Sequence, residues 1–429
     1  MNQELESLLD LVSRRGIDHA EVYQATSQSR PIFFEGNRLK QLESSLSVGT
    51  ALRLWQNNRP GLAVAYGKIE PELLIERAIA LSDLNQPETI ELAQPRRAIY
   101  DLTGKNASVE DLIEIGSQGI VKLREEYPEL ICSAELEFEF ETTTLINSQG
   151  LYCHYSESGS SCSLGVELVR GEDFLGIYDG EYTKKKLNLD PIIEQIVRRL
   201  DWAKLNVTPP LGKVPVLFTA NAATLLWSTV LSALNGKRVR EQSSPWSNRH
   251  QELVVSEQIS LSQQPDLQPY DCPFDDEGMP TQRLNLITNG VLERFYCDRT
   301  VARELNLEPT GNGFRPSLDS YPSPSLVNSI VASGSYSFAE LIAKLDRGII
   351  VDQMLGGGAD ISGDFSVNVD LGYRVENGKI TGRIKDTAIA GNVYQILQQV
   401  VAVGNDSIWN GSCHTPSLIV EGVSVVGRS

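Results

Sequence analysis

Histidine is scarce in this chain: the four residues among 429 are His19, His154, His250 and His414. Zinc hydrolases commonly use two histidines one helical turn apart together with a carboxylate that activates water. No two of these histidines have that spacing. Cys413 and His414 are adjacent, but adjacent residues of a strand point to opposite faces of a sheet. The sequence therefore contains no short motif in which neighbouring residues would form a zinc site.

Cysteine is equally sparse, and no pair has the Cys-x-x-Cys spacing of zinc knuckles and redox motifs. The six residues are spread over the chain at Cys132, Cys153, Cys162, Cys272, Cys297 and Cys413. A disulfide framework has denser, regularly spaced cysteines and belongs to an oxidising compartment. We therefore expect free thiols and a cytoplasmic protein.

Basic residues are outnumbered by acidic ones. The 38 Lys and Arg residues against 56 Asp and Glu residues give a formal net charge of -18. Sequence-independent binding to nucleic acid needs lysine and arginine to replace the counterions of the phosphates. The composition argues against this class of function and predicts no direct nucleic-acid partner.

An uninterrupted apolar run is also missing. The longest uncharged run, residues 214–236, could span a bilayer by length, but Pro215 and several polar residues interrupt it. It is better interpreted as a buried strand and a helix that Asn221 caps and Gly236 ends. The N-terminal sequence MNQELESLLDLVSRR is acidic where an export signal is basic and then apolar. We expect neither export nor a membrane partner.

Motifs for nucleophilic catalysis and phosphate binding are absent as well. No Gly-x-Ser-x-Gly elbow occurs to hold a serine nucleophile. The Gly356-Gly357-Gly358 run lacks the Gly-Lys-Ser/Thr that completes a phosphate-binding loop. Gly311-Asn312-Gly313 opens no convincing helix that could bind a phosphate. Both glycine runs are interpreted as turns.

The length suits two or three domains with full hydrophobic cores, since 41% of the residues are hydrophobic. The break Thr208-Pro209-Pro210-Leu211-Gly212 predicts a boundary between an N-terminal domain, residues 1–207, and a C-terminal domain, residues 208–429. In the first domain, apolar spacing predicts helices that begin near Leu5, Pro71, Ser108 and Asp190. The clearest strand is 131–141, in which Cys132, Ala134, Leu136, Phe138 and Phe140 alternate with Ser133 and four glutamates, Glu135, Glu137, Glu139 and Glu141. Such alternation is typical of a half-buried strand in an antiparallel sheet.

The second part has the patterns of a β-rich domain. Asn289-Gly290 and Asn377-Gly378, each between strand-like runs, predict two tight hairpins. Helices are predicted at residues 221–234, from Asp298, at residues 337–347 and at residues 392–401. The expected fold class is α+β in two domains, with an N-terminal antiparallel sheet and packed helices and a C-terminal β-rich domain with a few helices.

Three loops of the second part carry polar groups of possible function. Asp275-Asp276-Glu277-Gly278 is interpreted as a solvated acidic turn in preference to a site for a hard cation, because runs of like charge usually stay in water. The segments 310–315 and 362–366 combine glycine with side-chain donors and acceptors. These segments are equally consistent with ordinary turns and with loops at a cleft, and their residues favour neither interpretation.

Several segments together resemble the TldD/PmbA family, whose members have been called modulators of DNA gyrase and are understood as peptidases. The likeness covers essentially the whole chain in order, which makes it specific. The matching segments are Ala20-Glu21-Val22, residues 34–40, Pro273-Phe274-Asp275-Asp276-Glu277-Gly278, Thr310-Gly311-Asn312-Gly313, Ser362-Gly363-Asp364-Phe365-Ser366, Ile389-Ala390-Gly391-Asn392 and residues 416–420.

The resemblance further implies which branch of the family this chain is similar to. TldD-type members carry a His-Glu-x-x-x-His helix and a later cysteine, which together look like a zinc centre, and PmbA-type (TldE) members lack them. In this chain Trp227 and Ser232 occupy the histidine positions, Ser228 the glutamate position and Val403 the cysteine position. Indole and isopropyl groups offer zinc no lone pair, and hydroxyls are poor ligands beside imidazole or thiolate. We expect no metal bound and no catalytic residue in this chain.

The resemblance thus implies a PmbA/TldE-like subunit that pairs with a zinc-bearing TldD-type subunit and acts on unstructured peptides, in proteolysis and peptide maturation. Asn312, Arg315, Asp364 and Ser366 are the predicted residues of the peptide cleft. One alternative is a stand-alone, non-enzymatic binding or regulatory protein that forms a homodimer, which its charge permits. A further alternative is an independent metallohydrolase that uses Cys413, His414 and carboxylates gathered by folding.

Overall fold

The N-terminal part of the chain forms one eight-stranded sheet with four helices packed against it. The computed structural model describes residues 3–427. The elements of this part are α1 (Gln3–Arg14), β1 (Ala20–Glu35), β2 (Arg38–Leu42), β3 (Ser45–Gln56), β4 (Arg59–Tyr66), α2 (Pro71–Ser82), β5 (Arg96–Thr103), α3 (Val109–Glu126), β6 (Ile131–Asn147), β7 (Leu151–Arg170), β8 (Asp173–Thr183) and α4 (Asp190–Trp202). The strand order is β4-β3-β1-β6-β7-β5, with β2 paired to β1 and β8 paired to β7. The β5–β7 pairing is parallel and the others are antiparallel.

The C-terminal part is richer in short strands. Its elements are β9 (Asn206–Val207), β10 (Gly212–Phe218), α5 (Thr224–Ala233), α6 (Gly236–Arg240), β11 (Leu261–Gln263), β12 (Leu284–Thr288), β13 (Val291–Leu292), α7 (Arg299–Leu305), β14 (Gly313–Phe314), β15 (Ser323–Pro324), β16 (Ser329–Val331), α8 (Phe338–Leu345), β17 (Gly348–Leu355), β18 (Asp364–Glu376), β19 (Lys379–Ile384), β20 (Thr387–Asn392), α9 (Val393–Leu397), β21 (Val400–Val403), β22 (Ile408–Asn410), β23 (Cys413–Thr415) and β24 (Leu418–Gly427). One sheet has the order β17-β10-β24-β20-β18-β19-β9, with β21 paired to β24. A second has the order β13-β12-β11-β16-β23-β22, and β14 pairs with β15.

The hydrophobic core joins the two parts of the chain. One cluster of buried side chains includes Leu136 of β6 and Ile196 of α4 together with Leu371 of β18 and Ile419 of β24. The short strand β9 lies before the predicted boundary, yet it pairs with β19 of the C-terminal part. The division at residue 208 therefore stays a prediction, and the two parts share buried apolar surface.

The predicted α+β class is confirmed, and so are the elements that depend on local chemistry. Ser108 caps α3 and Ser337 caps α8, each in a capping box with the acidic residue three positions later. Asn289 and Asn377 both have positive φ in the two-residue connections β12–β13 and β18–β19. These are the backbone conformations that Asn-Gly hairpins require.

Three details of the helix predictions are wrong. Helix α5 begins at Thr224 with Ala223 at the capping position, so the Asn221 side chain does not cap it. It ends at Ala233, and Gly236 instead begins α6, which the Asn235 side chain caps. Helix α9 stops at Leu397 because the following residues enter β21, which pairs with β24.

Across residues 3–427 the structure contains no helix that combines the length and the apolar character needed to cross a bilayer.

Candidate functional site

The acidic loop 275–278 is buried, so its interpretation as a solvated turn is wrong. The Asp275 side chain has no exposed surface. Its Oδ1 accepts hydrogen bonds from the backbone N–H groups of Glu277 (3.0 Å) and Met279 (2.8 Å), and its Oδ2 accepts one from Gly313 (2.9 Å). These donors come partly from the glycine loop 310–315, almost forty residues later. The carboxylate therefore ties two loops together.

Arg315 extends this connection to the first strand of the N-terminal sheet. Its Nη2 lies 3.0 Å from Oε1 of Glu21, and both side chains are almost fully buried. The guanidinium also lies over the ring of Tyr23, 5.3 Å from its centroid. The Arg315 backbone N–H donates to Oδ2 of Asp276 at 2.7 Å. Burial raises the pKa of Asp276 to about 6, and the pair with Arg315 opposes that rise. Arg315 thus holds the C-terminal loops on β1.

The four residues predicted to line a peptide cleft do not share one site. Asn312 is fully buried, and its Nδ2 donates to Oε1 of Gln263 and to the carbonyl of Ser325, both at 2.8 Å. Asp364 and Ser366 are instead exposed on β18. Asp364 accepts a hydrogen bond from Asn392 (2.9 Å) and lines a cavity of about 810 Å³ between β10, β20 and α9. A role of these residues in contacting peptide stays a prediction.

The four residues predicted to replace zinc-site residues, Trp227, Ser228, Ser232 and Val403, do not fit a zinc ion. Trp227 is buried, and its indole Nε1–H donates to Oγ1 of Thr415 at 2.6 Å. Val403 is buried on β21 and supplies only an isopropyl group. The Ser228 hydroxyl donates to the carbonyl of Leu225 at 2.9 Å, and Ser232 is half-buried on the same helix. Zinc prefers thiolate, imidazole or carboxylate ligands, and none of these four side chains provides one.

Metal ligands do not gather elsewhere in the described part of the chain either. Among residues 3–427, no group of three or more His, Cys, Asp or Glu side chains is placed to hold a metal ion. Cys413 and His414 lie next to each other on β23, where the His414 ring packs 4.9 Å from that of Trp409.

A concave feature that brings both parts of the chain together is formed by β6, β7 and β8 and two C-terminal loops. It is a cavity of about 630 Å³. Its floor consists of side chains on one face of the N-terminal sheet, where Glu141 of β6 lies directly opposite Glu157 of β7. Its lining residues are Glu137, Glu139, Glu141, Tyr155, Glu157, Ser158, Gly159, Ser161, Tyr182, Pro269, Tyr270, Asp271, Cys272, Phe314, Ser325, Leu326 and Val327.

A second cavity of about 520 Å³ adjoins the first, and the two share Tyr182 and Tyr270. These rings belong to a ladder in which neighbouring centroids lie 5.5 Å apart for Tyr182 and Tyr270, and 5.0 Å apart for Tyr270 and Trp409. Residues 178–182 of β8 and Trp409 line the second cavity. We call the two cavities and their shared aromatic wall the groove.

Negative charge dominates the groove. Five carboxylate residues line the first cavity, and none of its described lining residues is basic. Lys184 lies behind the lining with its Nζ 2.6 Å from Asp271 and 3.3 Å from Glu157. Burial, together with the charges of Glu139 and Glu157, raises the pKa of Glu141 to about 7. Burial also raises the pKa of Glu137 and Glu157. Burial thus disfavours the ionised form of these glutamates, and no basic residue of the described lining compensates them.

The groove residues were missed by reasoning from the sequence, although the signal was present. The alternation in 131–141 correctly separates the buried face, with Leu136 fully buried, from the face of the glutamates. That second face is enclosed by residues 269–272 and 325–327, which no local pattern connects with β6. A row of glutamates on one strand face was the only available hint.

Two profiles of known protein families match this chain, and together they cover most of its length. The profile of the "PmbA/TldA metallopeptidase C-terminal domain" matches residues 211–427, about half of the chain, and the profile of "PmbA/TldA metallopeptidase domain 1" matches residues 20–82.

Individual relatives come from both branches. A "Metalloprotease TldD homolog" of Haemophilus influenzae is 25% identical over 94% of this chain and 89% of its own length. "Metalloprotease PmbA" of Escherichia coli O157:H7 is 26% identical over 66% of this chain and 62% of its own length. The crystal structure of TldE from Thermococcus kodakarensis superposes with a TM-score of 0.90 at 27% identity, over 99% of this chain and 100% of that chain.

Proposed function

The chain belongs to the PmbA/TldD metallopeptidase family, and on this premise we propose that it is a TldE-like subunit of a TldD/TldE-type peptidase complex. In that complex a TldD-type partner carries the zinc and cuts the peptide, while this chain holds an extended part of the peptide in the groove. Unstructured peptides are the proposed substrates, in proteolysis and peptide maturation.

The observation that carries this proposal is the lack of zinc ligands among the side chains that are predicted to stand at the family's zinc positions. The indole N–H of Trp227 is engaged with Thr415, and Val403 has no donor atom in its side chain. A chain with these groups depends on a partner for metal chemistry. The overall likeness to TldE over the full chain supports the same branch.

The groove supports the peptide-holding part of the proposal. Strand β8 pairs within the described residues with β7 alone, but its other edge is partly occupied, since the carbonyl of Tyr178 accepts from Arg199 at 3.4 Å and that of Phe174 accepts from Arg383 at 3.0 Å. At this edge the Tyr178 backbone N–H donates to the side chain of Gln353 at 3.2 Å. An extended peptide is therefore better held over the face of the sheet along β6, where its alternate side chains can enter the groove.

The proposal is tested by reconstitution. The purified chain is mixed with the TldD-type protein of the same organism, and cleavage of a quenched fluorescent peptide of Gly, Ser and Ala residues is measured. We expect cleavage only when both chains are present, and a mass in solution equal to the sum of the two. Metal analysis of the separated chains should find zinc in the partner fraction.

Matched controls decide between the alternatives. A partner variant whose motif glutamate is replaced by glutamine should form the complex and cut nothing. If this chain alone binds one zinc and cuts the peptide, it is an independent metallohydrolase. If it forms a homodimer that ignores the TldD-type protein, it is a stand-alone binding protein. Either result overturns the proposal.

We also propose that the complex acts in the cytoplasm. All six cysteines are unpaired, which suits a reducing compartment.

A further inference from the structure

The groove combines two features that recognise the same chemistry, an aromatic wall and a row of carboxylates. We infer that it binds peptide segments carrying lysine or arginine side chains, with Tyr182, Tyr270 and Trp409 as ring contacts and Glu137, Glu139 and Glu141 as charge contacts. This inference rests on the proposed peptide-holding function and names the class of peptide.

The aromatic wall is the first support. Tyr182, Tyr270 and Trp409 are all half-buried, so each ring keeps exposed surface beside the cavities. Ammonium and guanidinium groups are attracted to ring faces within about 6 Å of the centroid. The planar guanidinium of arginine also stacks on aromatic rings. Because the two tyrosines belong to both cavities, a cation bound there lies at the middle of the groove.

The spacing of the glutamates is the second support. Glu137, Glu139 and Glu141 occupy alternate positions of β6, so their side chains share one face and repeat about every 7 Å. Alternate side chains of an extended peptide repeat with the same period. A peptide that lies along β6 can therefore present basic side chains at i, i+2 and i+4 to successive carboxylates.

The charge of the lining excludes the opposite class of peptide. The nearest basic group, Lys184, already contacts both Asp271 and Glu157. A carboxylate brought into the cavity would meet the five acidic residues of the lining without a free cation to offset them. A single divalent cation is also a poor occupant, since no three acidic, histidine or cysteine side chains of the described residues converge.

The test compares three fluorescein-labelled peptides of twelve residues, built on Gly, Ser and Ala. One has lysine at every second position of its central half, one has glutamate there, and one is neutral. Binding to the purified chain is measured by fluorescence anisotropy at pH 8, above the pKa of about 7 of Glu141, at low and at moderate salt. We expect the lysine peptide to bind at least tenfold more tightly than the neutral one, the glutamate peptide to bind most weakly, and added salt to reduce the difference.

Two pairs of variants place the effect in the groove. The double variant E139Q/E141Q should lose at least fivefold in affinity for the lysine peptide. Its control, E125Q/E126Q, makes the same change in net charge on the exposed end of α3 and should bind as the unaltered chain does. Tyr270→Ser should weaken binding, whereas Tyr270→Phe keeps the ring and should retain it. Thermal melts confirm that each variant is folded.

The outcomes separate this inference from the proposed function. If all three peptides bind equally, the groove holds peptides but does not select cationic ones, and only this inference is overturned. If E139Q/E141Q and its control bind the lysine peptide equally, the carboxylate row is not the determinant, and the inference again fails. If no peptide binds, peptide holding by this chain is overturned together with the inference.

Discussion

Arg315 and Glu21 form a buried ion pair, Nη2 to Oε1 at 3.0 Å, that joins residues almost three hundred positions apart in the sequence. Arg53 offers Glu21 a second cation, at 3.6 Å. The pair links a loop of the C-terminal part to β1 of the N-terminal sheet. Although the sequence suggested Arg315 as a cleft residue, this geometry gives it a structural role.

We therefore expect Arg315→Met to destabilise the fold strongly. Removing one partner of a buried ion pair leaves an uncompensated charge and costs about 3 to 5 kcal/mol. Because Arg53 partly compensates Glu21, we expect the lower end of that range. Urea unfolding followed by circular dichroism measures the loss. The control is Lys122→Met, which breaks an exposed pair with Asp190 and should cost at most about 1 kcal/mol. Equal losses in the two variants would contradict the role given to Arg315.

The second prediction concerns Gly61, which lies where β4 meets α2. A Cβ added there would lie 1.9 Å from the carbonyl oxygen of Ala78, a backbone atom that cannot rotate away. Gly61→Ala should therefore displace α2 and cost about 3 kcal/mol, at the upper end of ordinary overpacking. Gly358→Ala is the control, because a Cβ there meets no atom within 4 Å. Comparison of melting temperatures tests this, and an unchanged value for Gly61→Ala would show that the helix packs differently.

The sequence predicted those parts of the fold that depend on interactions between residues close together in the chain. The helices that begin near Ser108 and Ser337 were predicted, and both depend on capping partners only three residues apart. The Asn-Gly hairpins followed for the same reason. Helix α9 was predicted too long because residues 400–403 pair with β24, and this long-range pairing outweighs local helix preference.

The candidate site was less predictable because its parts meet only after folding. Asp275 was predicted to be solvated. Its burial was not predicted because one of its hydrogen-bond donors, the backbone N–H of Gly313, is remote in sequence. The glutamates of β6 were assigned correctly to one strand face, but the loop around Tyr270 that covers this face could not be foreseen. The alternation of apolar and acidic residues thus predicted the strand, whereas tertiary packing determines that its glutamates line the groove.

The third prediction is a pH dependence that arises from Glu141. Its pKa is raised from about 4.5 to about 7, chiefly by burial and next by the charge of Glu139. The folded state therefore holds this proton more tightly than the unfolded state, and the resulting stabilisation is complete below pH 4.5 and lost as the pH rises through 7. Glu141→Gln removes the ionisation, so it should raise the melting temperature at pH 8 more than at pH 5.

A control for this effect lies on the same strand. Glu135 is exposed and does not line the first cavity. Glu135→Gln should therefore change the melting temperature little at either pH. An increase in melting temperature for Glu141→Gln that is the same at pH 5 and pH 8 would show that the ionised form of Glu141 is not disfavoured in the folded state.

The last prediction concerns Trp227, which the sequence comparison predicts to stand at the position of a zinc-binding histidine. Its indole N–H donates to Oγ1 of Thr415 at 2.6 Å, inside the core beside β23. A hydrogen bond of this kind contributes about 1 kcal/mol net, so a double-mutant cycle of Trp227→Phe and Thr415→Val should give a coupling energy of about 1 kcal/mol in urea unfolding. Thr415→Val leaves the buried indole N–H unpaired, and Trp227→Phe leaves the Thr415 hydroxyl with its bond to the carbonyl of Pro416, so the double variant should be less destabilised than the sum of the two. Strict additivity would mean that the bond does not stabilise the core, and the occupation of this position by tryptophan would then have to be explained by packing alone.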